Sequence, residues 1–150
     1  MQNLTSEASY HIKKAVDINS SNVDYLFIYA QIYEKIGFVK EAEIAYRKVL
    51  EIDELDAESW LNYSQLLHKN ESTYEAIEVL KKGVKFNPKN AELSYRLSAY
   101  LFQSGSESQA LSIFEKALSI DYDLHEEFFQ CFPSIKENKN LINLLIEYKK

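Results

Sequence analysis

The side chains that could do chemistry are few and widely spaced. The 150 residues include three histidines, His11, His68 and His125, and one cysteine, Cys131. No two of the histidines have the spacing of metal ligands, and no Cys-x-x-Cys motif is present, so the sequence predicts no metal site. A single cysteine cannot form an intrachain disulfide, and we expect Cys131 to be a buried, unreactive thiol.

Adjacent acidic residues could in principle serve general acid–base catalysis. The pairs Glu126–Glu127 and Asp53–Glu54 fall at turns or predicted helix starts, where a negative charge suits the positive end of a helix dipole better than it suits catalysis. The sequence contains neither a nucleophile elbow nor a glycine-rich phosphate loop. We therefore predict a non-catalytic protein that uses no cofactor.

Composition and charge indicate what class of protein to expect. The chain is 46% hydrophobic and 27% charged, with only three glycines and two prolines, which predicts an ordered protein with long uninterrupted elements. The net charge of −6 and the lack of a basic face exclude nucleic acid as an expected partner. Because no signal peptide or membrane-length apolar run is visible, we expect no membrane association and a cytoplasmic location.

One fourteen-residue pattern occurs four times at a spacing of 34 residues. Its copies are EASYHIKKAVDINS, EAEIAYRKVLEIDE, EAIEVLKKGVKFNP and QALSIFEKALSIDY. The matching columns are alanine at Ala8, Ala42, Ala76 and Ala110, a bulky apolar residue at Ile12, Tyr46, Leu80 and Phe114, and a small residue at Ala15, Val49, Gly83 and Ala117. Offsets of four and seven place these columns on one face of an α-helix. Each copy is therefore predicted to be an amphipathic helix followed by its terminating turn.

A second helical pattern lies between the copies, in residues 23–35, 57–69 and 91–103. Turn residues follow it at Gly37, Asn70 and Gly105, each able to adopt the left-handed conformation that ends a helix. Since Glu71 stands where glycine is expected, we assign that conformation to Asn70. The predicted unit is helix, tight turn, helix, repeated at residues 23–56, 57–90 and 91–124.

These units resemble the tetratricopeptide repeat over residues 7–124. The residues that carry the resemblance are Tyr33, Ala42, Tyr46, Trp60, Tyr63, Ser64, Leu67, Ala76, Leu80, Gly83, Pro88, Gly105, Ala110, Phe114 and Ala117. The chain departs from the family at Ser94, where a large residue is usual, and at Glu54 and Tyr122, where proline is usual. The resemblance implies an all-α, right-handed superhelix, a solenoid of antiparallel helix pairs that bury their hydrophobic faces against each other.

We predict one domain, residues 1–150, with atypical ends. Residues 7–22 supply a half repeat without its own first helix, and residues 125–150 supply a C-terminal helical cap whose first helix ends at Pro133. The half repeat carries an apolar face at Ala8, Ile12, Ala15 and Val16. Either upstream repeats of a longer protein or a second copy would cover this face, and we expect a weak homodimer.

In the family that this chain resembles, the first helices line a concave groove that holds peptides or partner helices. The resemblance implies a protein or peptide ligand here, contacting Phe27, Gln31, Leu61, Asn62, Gln65, Tyr95, Arg96 and Phe102. The alternative interpretation is that the apolar members of this set only thicken the packing between repeats. A second functional hypothesis is a structural spacer or assembly segment of a larger protein, acting through its ends.

Some members of the family hold the C-terminal carboxylate of heat-shock chaperones with five polar residues on three first helices. The matching positions in this sequence are Phe27, Gln31, Asn62, Glu92 and Arg96. Asn62 and Arg96 agree with that pattern, but Phe27 and Glu92 replace two lysines. Because Glu92 would repel a carboxylate, we do not expect this form of binding.

Overall fold

The computed structural model describes residues 2–149, with side chains from Leu4 onward. The helices of this range are α1 (Gln2–Ile18), α2 (Val23–Lys35), α3 (Val39–Ile52), α4 (Ala57–Lys69), α5 (Thr73–Phe86), α6 (Ala91–Gln103), α7 (Glu107–Ile120), α8 (His125–Cys131) and α9 (Lys139–Tyr148). A 3₁₀ turn, Pro133–Ile135, joins α8 to α9. Met1 and Lys150, the two ends of the predicted domain, lie outside the described residues.

The helices are arranged as stacked pairs. The pairs α2–α3, α4–α5 and α6–α7 are each joined by a tight turn, and successive pairs contact each other through α3 with α4 and through α5 with α6. Helix α1 packs on α2, and α9 packs on α7. The predicted all-α solenoid is confirmed. Among the helices of residues 2–149, none combines the length and apolar character needed to cross a lipid bilayer.

Small side chains let the two helices of a pair approach closely. Ala42, Ala76 and Ala110, one in each second helix, are all 0% exposed. In the third pair the hydroxyl of Ser98 on α6 donates a hydrogen bond to the backbone oxygen of Ala110 on α7, at 2.8 Å. This contact brings a first-helix side chain against the second-helix backbone, so the column has no room for a larger residue.

The turn inside each pair requires one residue with positive φ, and the residue is not always the predicted one. Gly37 and Gly105 have φ of 88° and 84°, and the matching residue of the middle pair is Glu71, with φ of 62°. Asn70 has φ of −98°, so the prediction for Asn70 is wrong. The side-chain amide of Asn70 instead donates a hydrogen bond to the backbone oxygen of Leu66, at 2.7 Å. The repeat register, rather than local propensity, selects the left-handed position.

Substitution of Glu71 by glycine is expected to stabilise the protein by about 0.5–1 kcal/mol. A residue with a Cβ atom is strained at this φ by roughly 1–2 kcal/mol, and glycine removes the strain at the cost of a more flexible unfolded chain. Urea denaturation measures the difference, with Glu75→Gly as the control. Since Glu75 lies in the first turn of α5, glycine there should lower stability by comparison. A less stable Glu71→Gly variant would contradict the assignment.

The C-terminal cap departs from the repeat where its first helix ends early. The column that holds Ala30, Ser64 and Ser98 in the three pairs, all 0% exposed, holds Phe132 at the end of α8. Phe132 has non-helical φ and ψ of −129° and 66° and is followed by Pro133, so α8 ends before it completes the length of a repeat helix. Helix α9 packs on α7 instead, where Leu141 is fully buried.

The same departure leaves the cysteine on the surface. Cys131 is exposed, so the predicted buried thiol is wrong. The residues at its position in the second and third pairs, Tyr63 and Leu97, are both buried by neighbouring helices. Cys131 lacks that cover because α8 has only seven residues and contacts the third pair mainly through α6.

The N-terminal half repeat is more covered than its sequence suggested. Ile12 is 8% exposed and therefore cannot form part of an open apolar face, because α2 packs over it. Ala8, Ala15 and Val16 are half-buried. These three remain the residues of the predicted self-association face.

Candidate peptide-binding groove

Two of the predicted groove residues line one cleft between the first helices α2 and α4. Gln31 of α2 is exposed and Asn62 of α4 is half-buried, and both face a cleft that Glu34, Lys35 and Lys69 also line. The cleft lies along consecutive first helices, where the repeat places matching residues side by side. The structure thus brings together residues that are 31 positions apart in the sequence.

Three side-chain amides of α2 and α4 make no hydrogen bond within the described residues. They are Gln31 and Asn62, which line the cleft, and Gln65, which is half-buried on α4 and does not line it. By contrast, the side-chain oxygens of Asn22 and Asn90 accept hydrogen bonds from backbone N–H groups at helix starts. The groove amides therefore keep both donors and an acceptor for another molecule.

Charged groups of both signs surround the same cleft. The carboxylate of Glu34 accepts a hydrogen bond from the hydroxyl of Tyr46, at 3.1 Å. Burial, together with the charge of Glu34, raises the pKa of Tyr46, so the hydroxyl remains a donor at neutral pH. Lys35 and Lys69 are exposed at matching positions of α2 and α4. The cleft can thus supply both acceptors and cations.

Arg96 occupies the corresponding surface of α6, next to a cluster of rings. Its guanidinium lies over the ring of Phe132, 5.8 Å from the centroid. The imidazole of His68 stacks on Tyr100, with ring centroids 4.1 Å apart. Burial, and then the charge of Arg96, lower the pKa of His68, so this histidine is neutral at pH 7. Arg96 is therefore the cation of this part of the groove.

Tyr95 is buried and does not line the cleft between α2 and α4. Its side chain is 2% exposed, and its hydroxyl donates a hydrogen bond to the backbone oxygen of Asp121, at 2.7 Å. The ring lies 5.6 Å from that of Phe114 and 5.3 Å from that of Phe128, measured between centroids. Helix α8 covers Tyr95, and periodicity within α6 alone could not reveal that cover.

The other apolar residues of the predicted set share their surface with the core. Phe27, Leu61 and Phe102 are half-buried and pack against it, and the ring of Phe27 meets that of Tyr46 edge-on, with centroids 6.1 Å apart. Phe102 lines a separate pocket with Ile135 of the cap. Each of these side chains is therefore partly used in packing between repeats, as the alternative interpretation predicted, and partly open on the surface.

Some residues that line the groove were not predicted from the sequence. Lys35 and Lys69 are 34 residues apart and line the cleft between α2 and α4. Glu127 and Cys131 line a second pocket, between α8 and α6, together with Arg96. The lysine column was visible as a 34-residue repetition, whereas the second pocket depends on the unusual placement of α8.

Comparison with known proteins agrees with this architecture. The sequence profile of the tetratricopeptide repeat matches residues 23–54, 57–90 and 91–124. Comparison with curated protein sequences finds no significant match.

Solved structures with the same fold include two crystal structures of MamA. The first has a TM-score of 0.72 at 18% identity and covers 98% of this chain and 88% of that chain. The second has a TM-score of 0.73 at 22% identity and covers 98% and 80% of the two chains. The crystal structure of YrrB, described as a TPR protein with an unusual peptide-binding site, has a TM-score of 0.68 at 20% identity, with 97% and 77% covered.

At these identities the similarity to the solved structures concerns the fold, whereas the sequence profile matches most of the chain in three consecutive units. The protein therefore belongs to the tetratricopeptide repeat family, whose repeats form protein-interaction modules.

Proposed function

We propose that the groove formed by α2, α4 and α6 binds an extended peptide or a helix of a partner protein. The observation that carries this proposal is the set of unused amides of Gln31, Asn62 and Gln65 on two consecutive first helices. Side-chain amides both donate and accept, so they match the backbone of an extended peptide or the polar side chains of a helix.

The chemistry around these amides supports a protein ligand. Half-buried Phe27 and Leu61 offer apolar contact, while Arg96 and the two lysines offer cations. Arginine and aromatic residues beside polar groups are typical of protein interfaces. The peptide-binding site named for YrrB, a protein of the same fold, also supports this choice of ligand.

Binding is tested with peptides selected from a random linear-peptide library on the wild-type protein. We expect Asn62→Ala and Arg96→Ala each to weaken the selected peptides by about threefold to tenfold, because each removes hydrogen bonds to the ligand. Fluorescence anisotropy with labelled peptides measures the dissociation constants. Circular dichroism checks that both variants remain folded.

The matched control is Asn143→Ala on α9, an exposed amide outside the groove. It should leave the dissociation constants unchanged. Peptides that bind both Asn62→Ala and Arg96→Ala as tightly as they bind the wild type would contradict the groove.

A second candidate function, an assembly segment that acts through its ends, is favoured by one observation. Tyr25 on α2 is 39% exposed, whereas Ser59 and Leu93 at the matching positions of the next two pairs are both 0% exposed. Helices α4 and α6 each follow a complete helix pair, whereas among the described residues α2 follows only α1. If both groove variants bound peptides normally, the result would favour this end of the chain, with its predicted self-association, as the functional surface.

A further inference from the structure

The pocket between α6 and α8 differs from the rest of the groove because the cap forms one wall. Its cavity volume is about 40 Å³, small for a ligand-binding pocket, so it can take no more than one side chain. Arg96 and Tyr95 belong to α6, and Phe128, Cys131 and Phe132 belong to α8 and its end.

The inner wall of the pocket, called its floor below, is apolar. Leu124, Phe128 and Phe132 line it, together with the ring of Tyr95. The hydroxyl of Tyr95 already donates to the backbone oxygen of Asp121, at 2.7 Å. A polar group placed on this floor would lose its water without gaining a partner, so the floor fits an apolar side chain.

The mouth of the pocket carries more negative than positive charge. Glu92 and Glu127 are exposed there, and within the described residues neither carboxylate forms an ion pair or a hydrogen bond with another side chain. Arg96 lies over the ring of Phe132 rather than against either carboxylate. Two uncompensated carboxylates beside one guanidinium favour a cation at the mouth.

We infer that this pocket binds one apolar side chain of a linear peptide ligand that carries a basic residue next to it. This inference rests on the proposed function and specifies the ligand: the apolar side chain lies on Leu124, Phe128 and Phe132. The neighbouring lysine or arginine faces Glu92 and Glu127. A peptide with an acidic residue in that place meets the two carboxylates and binds less tightly.

Cys131 provides a direct probe, because it is the only cysteine and lies exposed at the pocket. Three disulfide reagents deliver fragments on the same linker: a benzyl group with an ammonium group, a benzyl group with a carboxylate, and a hydroxyethyl group. Each is equilibrated with the protein at a fixed concentration of 2-mercaptoethanol. Intact-protein mass spectrometry then measures the fraction of protein that carries each fragment.

We expect the benzyl ammonium fragment to be retained on the order of tenfold more strongly than the hydroxyethyl fragment, as burial of roughly 50 Å² of apolar surface would give. The benzyl carboxylate fragment should fall between the two. Glu127→Gln should reduce the advantage of the ammonium over the carboxylate by about twofold to threefold, since one exposed charge pair is lost. Phe132→Ala should reduce the retention of both benzyl fragments.

The matched control moves the thiol while keeping a single cysteine. In a Cys131→Ser, Ser119→Cys double variant, the thiol is exposed on α7, outside the pocket. All three fragments should be retained equally there. Equal retention at Cys131, or the same benzyl preference at residue 119, would overturn the pocket, and neither result depends on a variant that weakens the fold.

The two proposals can fail separately. Equal fragment retention at Cys131, combined with weaker peptide binding by Asn62→Ala, overturns the pocket and leaves the groove. Normal peptide binding by both groove variants overturns the groove, whatever the fragments do. Retention of benzyl carboxylate above benzyl ammonium overturns the basic residue assigned to the ligand.

Discussion

Replacement of Phe114 by alanine is expected to lower the free energy of unfolding by about 3–5 kcal/mol, the range for a buried phenylalanine. Phe114 is 0% exposed. Its ring centroid lies 5.6 Å from that of Tyr95 on α6, and 5.5 Å and 6.2 Å from those of Phe128 and Phe129 on α8. The side chain thus joins α7 to two other helices, and its removal leaves a cavity among rigid rings.

Urea denaturation followed by circular dichroism measures this loss. The control is Tyr74→Ala, because Tyr74 is 77% exposed and its removal should change stability by no more than about 0.5 kcal/mol. Hydrogen exchange should show the largest loss of protection in α8 and α9, since each unit of a solenoid depends mainly on its neighbours. Equal stability losses in the two variants would show that Phe114 does not hold the cap.

The fold could be predicted because each repeat carries the same steric requirement. The space between the two helices of a pair limits the size of the side chain that can lie there. The alanine column shows this directly, because Ala42, Ala76 and Ala110 are all 0% exposed in the second helices of their pairs. Such requirements recur every 34 residues and appear in the sequence as columns of small and large residues, which a single chain is enough to reveal.

The errors concern positions where a neighbour in space overrides a local preference. Asparagine adopts positive φ more readily than glutamate, yet Glu71 takes that conformation because the register with Gly37 and Gly105 requires it. Cys131 is exposed because the seven-residue α8 contacts the third pair mainly through α6 and leaves this position uncovered. Neither effect is visible in a window of a few residues.

The candidate site could be predicted only for the part that the repeat itself builds. Gln31 and Asn62 line one cleft, as helical spacing suggested. Tyr95 does not, because α8 folds over it, and Ile12 is covered by α2. The face of one helix is set by its own periodicity, whereas cover by a terminal helix depends on packing that does not repeat.

Substitution of Ala110 by leucine is expected to lower the free energy of unfolding by about 1–3 kcal/mol. Ala110 is 0% exposed, and its backbone oxygen accepts a hydrogen bond from Ser98 on α6, at 2.8 Å. The added carbon atoms cannot point to solvent, so they must push α6 and α7 apart or force strained rotamers. Urea denaturation measures the loss, and Ala76→Leu, at the same column of the preceding pair, should behave alike. Lys116→Leu on the exposed side of α7 is the control, because lysine and leucine have similar helix propensities. If the alanine variants were as stable as the control, the close approach of paired helices at this column would be wrong.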